Sequence, residues 1–337
     1  MTANLTIPIT SAGLSTLRIS KSFQENESPV TSIDFDDYGE FCITAAADES
    51  LHLYDCRQGK SLQTLYSKKY GVHLARFTHN SNTVVYASTK EDDTLRFLSL
   101  HDNKYIRYFR GHKKKVYSLD MSPADEFFLS GSIDGSVRLW DSRSPNCQGL
   151  IHTMGRPSVS FDPQGAIFAI ASEGSVRLYD IKSFDKGPFS TFPVYQQIQE
   201  KFPEYVGTCT SVKFNNDTNT ILITNSVNGH FVLNAHTGEI QHCLTGTNPL
   251  QVESSGEETT FTPDGKYVYA GSKDGSVRVW NLENSDLLLE PSQIIPTHPA
   301  PITAIGFNPR YMMMVSASEG NDVGLWEPET RGHILDE

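Results

Sequence analysis

The chain has 337 residues, with 28 Lys plus Arg against 40 Asp plus Glu and a formal charge of −12 at neutral pH. That balance excludes a broad attraction to nucleic acid or anionic lipid and leaves only local basic patches. Hydrophobic residues make up 38%, including 18 Phe, 14 Tyr and 3 Trp, enough for a large core, yet no run approaches the ~18–20 apolar residues of a membrane helix. The five cysteines (Cys42, Cys56, Cys147, Cys209, Cys243) are scattered without a C-x-x-C pair. The first residues lack a basic start followed by an apolar stretch. Both features point to a reducing compartment, cytosol or nucleus.

Length alone suggests about two domains at roughly 150 residues each. Internal repetition replaces that count. One grammar recurs along the chain: apolar strand, turn, apolar strand, Asp-Gly-like turn, apolar strand. It spans residues 30–55, 72–99, 116–141, 158–180, 211–235, 259–281 and 302–327, seven copies in all. The clearest are VYSLDMSPADEFFLSGSIDGSVRLWD and TTFTPDGKYVYAGSKDGSVRVWN. Aligned on Trp140, the copies place Tyr54, Leu98, Trp140, Tyr179, Asn234, Trp280 and Trp326 in register. Successive spacings are 44, 42, 39, 55, 46 and 46 residues. The long interval marks an insertion at 181–208, where residues 194–202 form the one plausible helix, with Val194, Tyr195, Ile198 and Phe202 near one face. Such a segment either caps a sheet edge or docks a partner.

The Gly-His and Trp-Asp punctuation resembles the WD-repeat (WD40) family, whose period is about 40–45 residues and four strands per blade. The resemblance implies an all-β, seven-bladed β-propeller of four-stranded blades in one domain over 1–337. It also implies closure by an N-terminal strand at 16–24 that serves as the outer strand of the last blade. In blade three, His112, Ser130, Asp134 and Trp140 match the family's buried hydrogen-bonded set. Blade seven keeps His298, Ser316 and Trp326 but has Gly320 where the Asp belongs. Blades one, two and six keep Asp48, Asp92 and Asp274 without the His, and blades four and five carry Glu173 and Asn228. Only blade three is expected to hold the complete set.

No phosphate loop, G-x-S-x-G elbow, H-E-x-x-H, EF-hand or dinucleotide fingerprint occurs, so neither a catalytic residue nor a cofactor nor a metal site is expected. His230, His236 and His242 beside Cys243 lack ligand spacing, and Asp36-Asp37 and Asp92-Asp93 fall at turns. The surface is more informative. The loops leading into blades two and three carry Lys68, Lys69 and Tyr70, then Lys113, Lys114 and Lys115, with Arg107 and Arg110 approaching the same edge. Cations on neighbouring loops suit an acidic or phosphorylated peptide; the alternative is simple solubilising charge.

Longer words, TLYSKKYGV, NTVVYAS, LSLHDNKYIRYFRGH, DSRSPNCQGL and SFDKGPFSTF, resemble the WD-repeat subunit family shared by the COMPASS histone methyltransferase complex and the cleavage and polyadenylation machinery. This resemblance implies a nuclear, noncatalytic scaffold. Its implied partners are the N-terminal region of a SET-domain methyltransferase and other complex subunits, or cleavage and polyadenylation subunits with a phosphatase. Phosphorylated RNA polymerase II C-terminal repeats are a further implied contact. Two other classes stay in competition. A propeller enzyme needs inward-facing acids or histidines, whereas the innermost strands offer mainly Ile33, Phe35, Leu119, Val159 and Ile305. A direct nucleic-acid binder is opposed by the charge, and no strong binding of that kind is expected.

Overall fold

Strand-length runs of β-branched and aromatic residues, separated by Asp, Asn and Gly turns, form seven antiparallel sheets in the computed structural model, which describes residues 9–248 and 256–329. The remaining residues of the 1–337 assignment lie outside the described part. Blade three shows the pattern: Val116–Met121, Phe127–Ser132, Ser136–Asp141 and Cys147–His152 follow one another from the channel outward. Second strands such as Thr83–Ala87 and Met314–Ser318 are buried along their whole length. Each is covered on both faces by neighbouring blades, so its sequence holds apolar and small residues and no charge. The Asp-Gly turns need a left-handed residue: Gly275 has φ +77°, and a Cβ there would lie 2.0 Å from the His298 carbonyl.

Ring closure joins the two ends of the repeat array. Leu17–Phe23 pairs antiparallel with Val323–Pro328, so blade seven takes its outer strand from the start of the chain. Blade five has a fifth strand: Leu288–Leu289, from the connection inside blade six, runs parallel to its outer strand Ile240–Leu244.

Residues 181–208 are partly sheet. Ser190–Phe192 is the outer strand of blade four, and a helix, Val194–Lys201, follows it. Val194, Ile198 and Phe202 bury against Val176, Phe231 and Ile240. Tyr195 departs from the expected face and stays 41% exposed, because one residue turns the helix by about 100°. The Gln197 side chain donates to the Gly238 carbonyl and accepts from the Ile240 amide, which fastens the helix across blades four and five.

The innermost strands overturn one expectation. Ile33, Phe35, Leu119, Val159 and Ile305 pack between sheets, and the channel, which Leu119 and Val159 reach from the side, is lined by the polar residues Asp34, Arg76, Asp120, Ser160, Lys213 and Glu257 of the innermost strands and their approaches. Alternation sends these residues to the opposite face of the strand.

Candidate functional site

The surface above blades two to four is built on two kinds of support. In blade three the indole N–H of Trp140 donates to Ser130 Oγ at 2.8 Å, and Ser130 Oγ lies 2.7 Å from His112 Nε2. Because the indole only donates, the hydroxyl proton is free to point at Nε2, and Nδ1–H then donates to Asp134 at 2.9 Å. Burial lowers the His112 pKa despite Asp134, so the imidazole is neutral at pH 7. Asp134 is opposed by burial but held down at about 2 by bonds from Ser136, the Lys113 amide and His112. The Lys113 N–H bond to Asp134, 2.9 Å, anchors the lysine loop itself. Lys114 O accepts from Ser132 Oγ, and Lys115 O accepts from the Ile133 amide.

The same set recurs in blade seven, against the sequence expectation. His298 Nδ1 lies 2.5 Å from Asp322, His298 Nε2 lies 2.7 Å from Ser316 Oγ, and Trp326 donates to Ser316 at 2.8 Å. Asp322 sits at the far end of the tight turn, where blade three has Ser136. Both ends of that turn reach the imidazole, since Ser136 Oγ is itself 3.3 Å from His112 Nδ1. The carboxylate therefore changes position along the chain without changing its place in space.

Blade two uses other chemistry. Ser67, Tyr86 and Tyr105 share their hydroxyls, with Ser67 Oγ 2.8 Å and 3.3 Å from the two phenols. Arg96 pairs with Asp92 at 2.9 Å, and its guanidinium lies 3.6 Å from the centroid of the Tyr70 ring. Tyr70 is thus covered on one face, and its carbonyl holds the Thr89 and Lys90 amides. Tyr108 continues the alternation, 5.6 Å from Arg96 and 5.5 Å from Arg110, and Lys69 lies 5.1 Å from Tyr70.

The cations named from sequence therefore fall into two groups. Lys69, Tyr70 and Arg110 belong to the blade-two stack, with Lys68 beside the exposed Tyr66 at 5.0 Å. Lys115 turns toward Tyr117 at 4.6 Å, while Lys113 and Lys114 are exposed. Arg107 leaves this surface and donates to the Ser142 carbonyl of blade three. Two residues escaped the sequence reading. Arg156, in the loop leading into blade four, lies 4.1 Å from the Tyr117 ring, and His73 meets the same ring edge-on at 5.6 Å. A cation in a third consecutive loop was the signal for Arg156; nothing in sequence marked His73.

The channel carries a separate ionic group around a cavity of about 380 Å³. Arg76 on blade two reaches Glu257 of blade six at 2.5 Å, and Lys213 lies 3.9 Å from the same carboxylate. Asp34 accepts from the Phe77 amide and Asp120 from the Phe161 amide, each at 2.7 Å, tying each blade to the next. Burial lifts Asp34 to about 7 and Asp120 to about 6. Among the described residues no cluster of three metal-ligating side chains is present.

The family model for the WD domain, G-beta repeat, matches residues 17–55, 103–141, 230–281 and 289–327, spans that include all three tryptophans. The chain is 44% identical over 317 residues to WD repeat-containing protein 82 of Drosophila melanogaster, covering 92% of this chain and 94% of that protein. It is 36% identical to Set1 complex component swd2 of Schizosaccharomyces pombe, covering 86% and 91%. It is 34% identical to COMPASS component SWD2 of Saccharomyces cerevisiae, covering 96% and 99%.

Proposed function

Because the chain belongs to the WD40 family of G-beta repeat propellers, we propose that it is a noncatalytic scaffold subunit of a nuclear, Set1-type COMPASS histone methyltransferase complex. The observation that carries this reading is similarity along nearly the whole chain to two proteins named as components of that complex. The channel supports the noncatalytic part: Asp34 and Asp120 are used to join blades, and Glu257 is paired with Arg76. The cationic loops of blades two and three supply a docking surface for an acidic or phosphorylated peptide, the contact through which such a scaffold joins transcribing RNA polymerase II.

Affinity purification at endogenous level followed by mass spectrometry tests the assignment. SET-domain methyltransferase subunits in the eluate are expected. Recovery of cleavage and polyadenylation subunits alone would move the protein to that machinery, and recovery of neither would end both assignments. Replacing Lys68, Lys69, Lys113, Lys114 and Lys115 by Glu is expected to abolish binding of an acidic peptide with the melting temperature unchanged. Retained binding would remove the lysine loops from the docking surface.

A further inference from the structure

We infer that the outer strand of blade two, Lys104–Phe109, binds an extended acidic peptide of a partner protein as a fifth, parallel strand. The site lies on the rim of the ring and goes beyond the loop surface proposed above, Arg110 being common to both. Blade five has this arrangement within the molecule itself. There Leu288–Leu289 lies parallel to Ile240–Leu244, with the Cys243 amide donating to the Leu287 carbonyl at 2.7 Å and the Thr245 amide to the Leu289 carbonyl at 2.9 Å. Both outer strands carry one bulged residue at the same place. Gln241 falls between the pairs Leu233–Ile240 and Val232–His242, and Ile106 between Leu98–Tyr105 and Phe97–Arg107. Counted from the bulge, Tyr108 and Arg110 occupy the places of Cys243 and Thr245, and the shared register turns their amides outward. In blade two no fifth strand meets them among the described residues.

The other edges lack part of this chemistry. Blades four and six place Pro193 and Pro296 where blade five has Thr245, and proline has no N–H to give. In blade three the Phe184 ring lies against the outer strand, 2.5 Å from where a Cβ on Gly149 would be. Blades one and seven have the neutral Tyr66 and Gln24 at the Thr245 place. Blade two has Arg110, exposed, 5.5 Å from the Tyr108 ring and in no ion pair among the described residues. That exchange of Thr for Arg specifies the ligand. In blade five the residue after the added strand, Glu290, accepts from the Thr245 hydroxyl at 3.0 Å. A carboxylate at the same step of a bound peptide meets the Arg110 guanidinium instead, a charge-assisted contact that blade five lacks. Ile106 and Tyr108, 48% and 36% exposed, offer apolar surface to the residues before that carboxylate. At the bulge itself blades three, five and seven carry Gln148, Gln241 and Ser20, whereas blades one and two carry Leu62 and Ile106. Arg110 then separates the second edge from the first. Main-chain bonds to Tyr108 and Arg110 hold the peptide, and an acid following an apolar pair selects it.

The probe is a synthetic peptide with the sequence of residues 284–291, NSDLLLEP, added to the wild-type protein while amide exchange is followed by NMR. At saturation, exchange at the Tyr108 and Arg110 amides is expected to slow about tenfold or more. A Glu290→Lys peptide is expected to bind the wild type about tenfold more weakly, as is the unchanged peptide to Arg110→Glu protein. The two changes together are expected to restore binding. Protection at Thr64 and Tyr66, or at Ser22 and Gln24, in place of Tyr108 and Arg110 would overturn blade two as the site. No protection at any edge amide would overturn strand addition altogether. Equal binding of the Glu290→Lys peptide would overturn the acid as the selected feature. Slowed exchange at Tyr108 and Arg110 that grows with protein concentration before any peptide is added would make a second copy of this chain the occupant and overturn the partner peptide. The wild-type titration does not depend on any variant folding, and none of these outcomes turns on which complex the protein joins.

Discussion

Blades two and three stand side by side and hold up the same surface by opposite means. Blade three runs a single hydrogen-bonded line from a buried indole through Ser130 and a neutral His112 to Asp134, which grips the lysine loop by its backbone. Blade two has no such line. Its loop is held by Tyr70, which rests on Arg96, and Arg96 is in turn held by Asp92, whose side chain is 44% exposed. One support is buried and contains a single charge that every partner helps satisfy. The other is a stack of cations and rings with an acid at the water's edge. What matters to the fold is where the loop sits, and quite different side chains can put it there.

The contrast predicts unequal costs. His112→Ala removes the middle of the buried line and leaves Ser130 and Asp134 without their shared partner. We expect a loss of about 3 kcal/mol in urea unfolding, and a loss below about 1 kcal/mol would show that blade three is as tolerant as blade two. Arg96→Met keeps the stem against Tyr70 and lets Asp92 rehydrate, so the expected loss is smaller, about 1–2 kcal/mol. A larger loss than that of His112→Ala would reverse the comparison.

The channel tests the buried-charge side of the contrast with the smallest effect. Asp34 has a folded pKa near 7, raised by burial in spite of Arg76 and the Phe77 amide, whereas an unfolded carboxyl ionises near pH ~3.9. A raised pKa means that stability present below pH ~4 is lost as pH climbs through about 7. Asp34→Asn keeps an acceptor for Phe77 and leaves Asp120 and Glu257 opposite Arg76 and Lys213. The variant is expected to gain about 1 kcal/mol above pH 7, shrinking to nothing below pH 4, in denaturation followed across pH. No gain at pH 8 would mean that the ionised Asp34 is fully compensated by its neighbours.

Much of this was legible before any coordinates. The spacing of the seven aligned positions from Tyr54 to Trp326 carried the blade count, and His112, Ser130, Asp134 and Trp140 could be placed together because each sits at a fixed offset within one repeat. Legibility failed where an offset shifted or where contacts crossed between repeats. Asp322 was missed because alignment reads position along the chain, and the imidazole accepts a carboxylate from either end of the turn. The Arg76–Glu257 pair was missed because its members lie 181 residues apart and face each other only after the ring closes. His73 was missed for a related reason: its setting is assembled from three loops, none of which looks unusual alone.

The pairing of Leu17–Phe23 with Val323–Pro328 also has a consequence in time. The strand that completes the last blade leaves the ribosome some three hundred residues before its partner. At about 5–20 residues per second, the wait is roughly 15–60 s. Throughout that interval blade one has no neighbour on one side, and the waiting strand exposes an unpaired edge to any passing chain. Production of this protein in the cell is therefore expected to depend on protection of the nascent chain, more than the stability of the finished ring would suggest.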